Sequence, residues 1–106
     1  MSSGLRFAED YVDAGVSDVI EMLFGSGKAD VAAHAATMPM DHAPDTVWNY
    51  SSGTSNIVAR LAADTIGKHG DAFKDWMFEV LLSKIGMRSA LPKFDQAGTV
   101  IGSSFC

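Results

Sequence analysis

A chain of 106 residues, 47% of them hydrophobic and 20% charged, is long enough for one small domain with a modest core, and this composition excludes wholesale disorder. The net charge of −5 is dispersed and leaves no basic stripe for phosphates, so nucleic acid is not expected as a partner. No apolar run approaches the roughly 20 residues of a membrane helix, so a membrane is not expected as a partner either.

Taken in chain order, residues 1–15 mix small, aromatic and acidic residues without periodicity and read as an irregular entry. The opening MSSGLRFAEDY has no basic region ahead of an apolar one, so no signal peptide is expected and the localisation stays open. A first helix is expected after Ser17, a good N-cap, over DVIEMLF. It carries Val19, Ile20, Leu23 and Phe24 at helical spacing, and Gly25 ends it. The GSG of residues 25–27 reads as a turn. A second, alanine-rich helix is expected from about Lys28 to Thr37, and Pro39 and Pro44 then bracket a loop.

A third helix is marked by Ile57, Val58, Leu61, Ala62 and Ile66 and closed by Gly67. A fourth is predicted with Asp71 as N-cap, a wide apolar face of Phe73, Trp76, Met77, Val80, Leu81 and Ile85, and Gly86 beyond its end. A face that wide predicts central packing. FDQAGTVIGSSF then reads as two short strands around an Asp-Gln-Ala-Gly turn. The expected fold class is therefore mainly α with a short terminal β hairpin, in a single domain over residues 1–106. The single cysteine, Cys106, cannot close an internal disulfide, so packing alone has to hold the fold.

Several tempting signals fail on inspection. GSGKA at 25–29 departs from a phosphate loop, because Met22 stands where the first glycine belongs and Ala29 follows the lysine. His34, His42 and His69 fit no compact ligand spacing, so neither a metal nor a cofactor is expected. Asn49-Tyr50-Ser51 is formally a glycosylation sequon and carries little weight without a secretory signal. The methionines read as core and loop packing.

The segment VWNYSSGTSNIVARL, Val47 to Leu61, holds the chemistry-bearing residues. Read plainly, its hydroxyls are caps, with Ser52, Thr54 or Ser55 accepting from orphan amides of the third helix and Trp48 and Tyr50 at a core edge. The question the segment raises is whether its tyrosine and hydroxyls serve chemistry or only capping.

The longer stretch VWNYSSGTSNIVARLAADTIG resembles the second motif of the serine β-lactamase-like hydrolases. These include class C β-lactamases, D-alanyl-D-alanine peptidases, esterases of the same fold and 6-aminohexanoate-dimer hydrolases. MSSGL at 1–5 is similar to the segment after the nucleophile helix of that family. IGMRSA at 85–90 resembles a turn that follows the next helix, and DQAGTVIGSSFC resembles a strand pair leading back to the sheet. The likeness is closest to the esterase and amide-hydrolase branch, since Ser52 stands where β-lactamases usually carry Asn.

The resemblance implies the helical subdomain of the β-lactamase/transpeptidase-like fold and amide or ester hydrolysis through an acyl-enzyme. It implies that Tyr50 is the general base toward a serine and later the acid toward the leaving group, with Ser52 hydrogen-bonded to a lysine or to substrate. A free phenol, with a pKa of about 10, needs a nearby ammonium for that role. The chain departs from the family at two places. No serine has lysine three residues later, and no Lys-Thr-Gly or His-x-Gly strand motif is present; KHG at 68–70 lies between helices. The expectation is therefore an internal portion of a larger serine hydrolase, inactive alone, whose apolar surface drives self-association. Its small-molecule substrate, an amide or an ester, belongs to the parent enzyme. The alternative is a stand-alone helical interaction module in which the hydroxyls only cap.

Overall fold

The computed structural model describes residues 1–105, with side chains as far as Ser103; Cys106 lies outside the described residues. Four helices and one antiparallel strand pair make up the fold: α1 (Asp18–Phe24), α2 (Val31–Ala36), α3 (Ser52–Ile66), α4 (Asp71–Met77), β1 (Pro92–Phe94) and β2 (Val100–Phe105). A π-helical turn, Phe78–Leu82, continues α4. The class expected from the sequence, mainly helical with a terminal hairpin, is the class observed.

Local chemistry sets most boundaries. Ser17 caps α1 by accepting the Ile20 N–H at 3.2 Å. The second helix is shorter than expected because Asp30 caps it, accepting the Ala33 N–H at 2.9 Å, and residues 25–29 stay in turns. The Glu21 carboxylate takes both the N–H and the hydroxyl of Ser26, so the glycine-rich turn already holds an internal anion. Those two bonds, the side-chain one first, hold the Glu21 carboxyl below its ordinary range. Gly67 ends α3 in the left-handed region, with φ at 75°.

The fourth helix departs from the sequence reading in two ways. Gly70, not Asp71, is its N-cap, and no side chain caps it. The π turn also breaks the expected apolar face. Phe73 and Leu82 are buried, while Leu81 and Ile85 are 50% and 58% exposed, so the segment does not pack centrally. Gly86 does sit beyond its end with a positive φ of 80°.

Two small cores flank α3. One is Phe7, Val19, Met22, Val31 and Ala35; the other is Ala63, Phe73 and Val100. Strand β2 serves both, with Val100 in the second and Ile101 packed against the first, as a strand's alternation requires. The hairpin pairs Phe94 with Val100 and Pro92 with Phe105, with an irregularity between. Its turn is tied to α2 through Asp95, whose carboxylate accepts the Val31 N–H at 2.9 Å and the Thr99 N–H at 2.8 Å.

Helix α3 keeps only part of its expected stripe, with Ile57 packed against the first core and Ile66 against the second. Its buried residues are Ser52, Gly53, Asn56 and Ala63, whereas Val58 and Leu61 are 57% and 59% exposed. The small face is needed because other backbone comes close. A Cβ at Gly53 would lie 2.6 Å from the Phe7 ring, and one at Gly102 of β2 would lie 3.2 Å from the Ala59 Cβ. Asn56, fully buried, bonds β2 to α3: its amide oxygen accepts the Gly102 N–H at 2.9 Å and its amide nitrogen donates to the Ser103 hydroxyl at 3.1 Å.

Candidate functional site

The candidate site is the mouth of α3, where residues 47–50 lead into the helix. Ser51 is the N-cap, in an extended conformation, and its hydroxyl accepts the Thr54 N–H at 3.0 Å. Capping therefore falls one residue before the three expected candidates. The Thr54 hydroxyl bonds Ser51 at 3.1 Å and Ser3 at 2.8 Å, and Ser3 in turn accepts the Leu5 N–H. This hydroxyl chain fastens the segment around Ser3 to the first turn of α3.

Ser52, predicted as a site residue, is the first residue of the helix and is buried. Its N–H and its hydroxyl both donate to the Glu9 carboxylate, the hydroxyl at 3.1 Å. A carboxylate at a helix N-terminus meets orphan amides and the positive end of the helix dipole, which accounts for the contact. The Tyr11 hydroxyl donates to the same carboxylate at 2.7 Å. That hydrogen bond, with burial second, pushes the Tyr11 phenol above its ordinary value.

Tyr50, the predicted general base, is half exposed, and its hydroxyl makes no hydrogen bond among the described residues. No lysine ion-pairs or hydrogen-bonds with Tyr50, Ser51 or Ser52 among the described residues. The structure thus brings Tyr50 and Ser52 to one helix mouth but commits the Ser52 hydroxyl to an anion, not to an ammonium. Trp48, expected at a core edge, is largely exposed.

Beside this mouth opens a cleft of about 360 Å³, lined by Leu5, Arg6, Asp41, His42, Val47 and Trp48 among others. Its one guanidinium is spent internally: Arg6 contacts the Asp41 carboxylate at 2.7 Å, which holds that carboxyl below its ordinary range. The cleft therefore offers an aromatic wall and near-neutral polarity rather than a strong charge. Among the described residues no group of three or more His, Cys, Asp or Glu is placed to hold a metal ion, and no helix is long and apolar enough to cross a membrane.

Glu9, Tyr11 and Asn56 belong to this region and were not singled out from the sequence. The available signal for Asn56 was its place four residues after Ser52 and seven before Ala63, on one helical face. Glu9 and Tyr11 lie in a segment without periodicity, which carries no such signal. Comparison with protein-family models, with curated proteins and with solved structures finds no match for this chain.

Proposed function

We propose that this chain carries the tyrosine element of a β-lactamase-like serine hydrolase, with Tyr50 as the proton relay of an acyl-transfer site whose nucleophile another segment provides, and that it does not turn over substrate alone. The observation that carries the reading is Tyr50 itself. Its phenol stands at a helix mouth fixed by the Ser51 cap and the Thr54–Ser3 hydroxyl chain and is unengaged among the described residues, and the cleft whose lining ends at Asn49, one residue before it, is of a size for a small amide or ester. In such a reaction Tyr50 takes the proton of the serine hydroxyl as the acyl bond forms and returns it to the leaving group. Ser52, once released from Glu9, is placed to hydrogen-bond the attacking partner or the substrate.

Uncovered surface supports the same reading. The chain exposes 6261 Å², against about 5,700 Å² for a compact monomer of this mass. Its radius of gyration is 14.4 Å, against about 13 Å for a compact domain of this length. Val58 and Leu61 on α3, and Leu81 and Ile85 beyond α4, are apolar side chains left half or more exposed. A covering sheet or a second copy would bury them, so self-association of the isolated chain is expected.

The test has two arms. Purified chain should not hydrolyse a penicillin or a short-chain ester, and no serine should be acylated by a fluorophosphonate when intact mass is measured. Added in trans, a segment bearing Ser-x-x-Lys should restore acylation, and Tyr50→Phe should remove it. Turnover by the chain alone, or restored acylation indifferent to Tyr50→Phe, would overturn the reading. The second reading, a helical interaction module, is favoured by one observation, the engagement of Ser52 with Glu9 in the absence of any lysine contact. That module predicts a restored complex in which Tyr50→Phe changes nothing.

A further inference from the structure

Residues 9–16 leave the body of the domain and return to it at a closed base. At that base the Ala8 N–H donates to the Asp18 carboxylate at 2.7 Å and the Asp18 N–H donates to the Ala8 carbonyl at 3.1 Å. Between these ties the segment is self-contained. Asp10 accepts from the N–H groups of Val12 and Asp13, and Asp13 accepts from that of Gly15. Tyr11 to Val16 are all exposed, Val12 at 97%, and no residue of 10–16 packs into either core. Its hydrogen bonds to α3 gather at Glu9, whose carboxylate accepts from the Ser52 N–H and hydroxyl on one side and from the Tyr11 hydroxyl of the segment on the other.

For a loop with a fixed base, no core anchor and its ties gathered at one carboxylate, opening exposes almost no apolar surface that is not exposed already, so those ties dominate the cost of opening. We propose that residues 9–16 are a hinged strap latched onto α3 by Glu9, and that releasing the latch carries Tyr11 away from the helix mouth and frees the Ser52 hydroxyl. The strap stands on geometry alone; its consequence for acyl transfer rests on the hydrolase reading above. Latched, the strap holds the second hydroxyl of the site on a carboxylate, an arrangement unable to support proton transfer by Tyr50. Released, it returns that hydroxyl and opens the helix mouth.

Limited proteolysis with chymotrypsin, the cut after Tyr11 followed by mass, tests the latch without any catalytic readout. Loss of a charge-assisted hydrogen bond from a local opening equilibrium should speed this cut about ten-fold in Glu9→Ala. Glu9→Gln, which keeps an amide oxygen for the Ser52 N–H, should fall between Glu9→Ala and the parent chain. Ser51→Ala is the control, since it removes the cap of the same helix and leaves the latch in place. It should lower the unfolding midpoint and leave the Tyr11 cut close to the parent rate. A Glu9→Ala rate equal to the parent's, or a Ser51→Ala rate raised as much as that of Glu9→Ala, would overturn the strap. If Glu9→Ala does not fold, the ranking of Glu9→Gln against Ser51→Ala decides in the same way. Because the cut is independent of turnover, failure of the strap and failure of the hydrolase reading give different results.

Discussion

The mouth of α3 and the segment running from α4 through Leu91 are built on opposite principles. At the mouth, buried polar side chains do the joining: Ser51 and Ser52 are almost fully buried, Asn56 is completely so, and each has a named partner. In the α4 segment apolar residues are plentiful, yet Val80, Leu81, Ile85, Met87 and Leu91 are exposed. A buried polar network tolerates one arrangement, since each lost partner leaves a desolvated group unpaired. An apolar face is satisfied by any apolar cover. The first region is therefore specified from within the chain, and the second is specified by what comes to lie on it.

The sharpest way to break that contrast is Asn56→Ala. It empties a fully buried position and removes the partner of the Gly102 N–H and of the Ser103 hydroxyl, and should cost about 2–3 kcal/mol. Urea unfolding should show a lowered midpoint, and a loss below about 0.5 kcal/mol would mean that the hairpin is held by its apolar contacts instead. Leu81→Glu combined with Ile85→Lys should change folding stability by no more than about 1 kcal/mol, because both side chains are already half or more exposed. The same pair should shift any concentration-dependent dimer toward monomer in sedimentation; an unchanged dimer would place the association on α3.

The smallest effect is electrostatic and lies at the far end of α3. The Asp64 carboxylate meets His69 Nε2 at 2.6 Å and the Arg60 Nε at 3.0 Å, and the His69 contact, ahead of the Arg60 one, holds the Asp64 carboxyl below its ordinary range. A depressed folded-state pKa means that the unfolded chain takes up the proton first. The contribution is fully present above the unfolded value of about 3.9 and is lost as pH falls through the lower folded value. A thermal midpoint measured from pH 6 down to pH 2 should decline more steeply in the parent chain than in Asp64→Asn. Parallel curves would show that these exposed contacts add nothing.

Legibility followed the same division. The α1 cap at Ser17, the Gly67 stop and the Asp-Gln-Ala-Gly turn were readable because each depends on one residue's local geometry. Helix α2 lost its first turn to Asp30, a cap as readable as Ser17 but hidden within a run of alanine helix formers. The α3 stripe holds at Ile57 and Ile66, which pack against the cores, and fails at Val58 and Leu61, which are exposed. Periodicity identifies an apolar side, and only tertiary packing decides whether the core lies there or on the small residues that let Phe7 and Gly102 approach.

The candidate site divides likewise. Tyr50 and Ser52 stood out by residue type and by their place before a helix. The mouth they form depends on Glu9 and Tyr11, some forty residues away in a segment without pattern. The sequence by itself determined the helices, the hairpin and the position of a tyrosine at a helix mouth, because caps, glycines and turns act over a few residues. Only the tertiary structure decided that Ser52 faces a carboxylate, that Asn56 bonds strand to helix, and that the apolar sides of α3 and of the π turn stay open. Those outcomes depend on which distant groups meet, and the energy of a meeting is not carried by either partner alone.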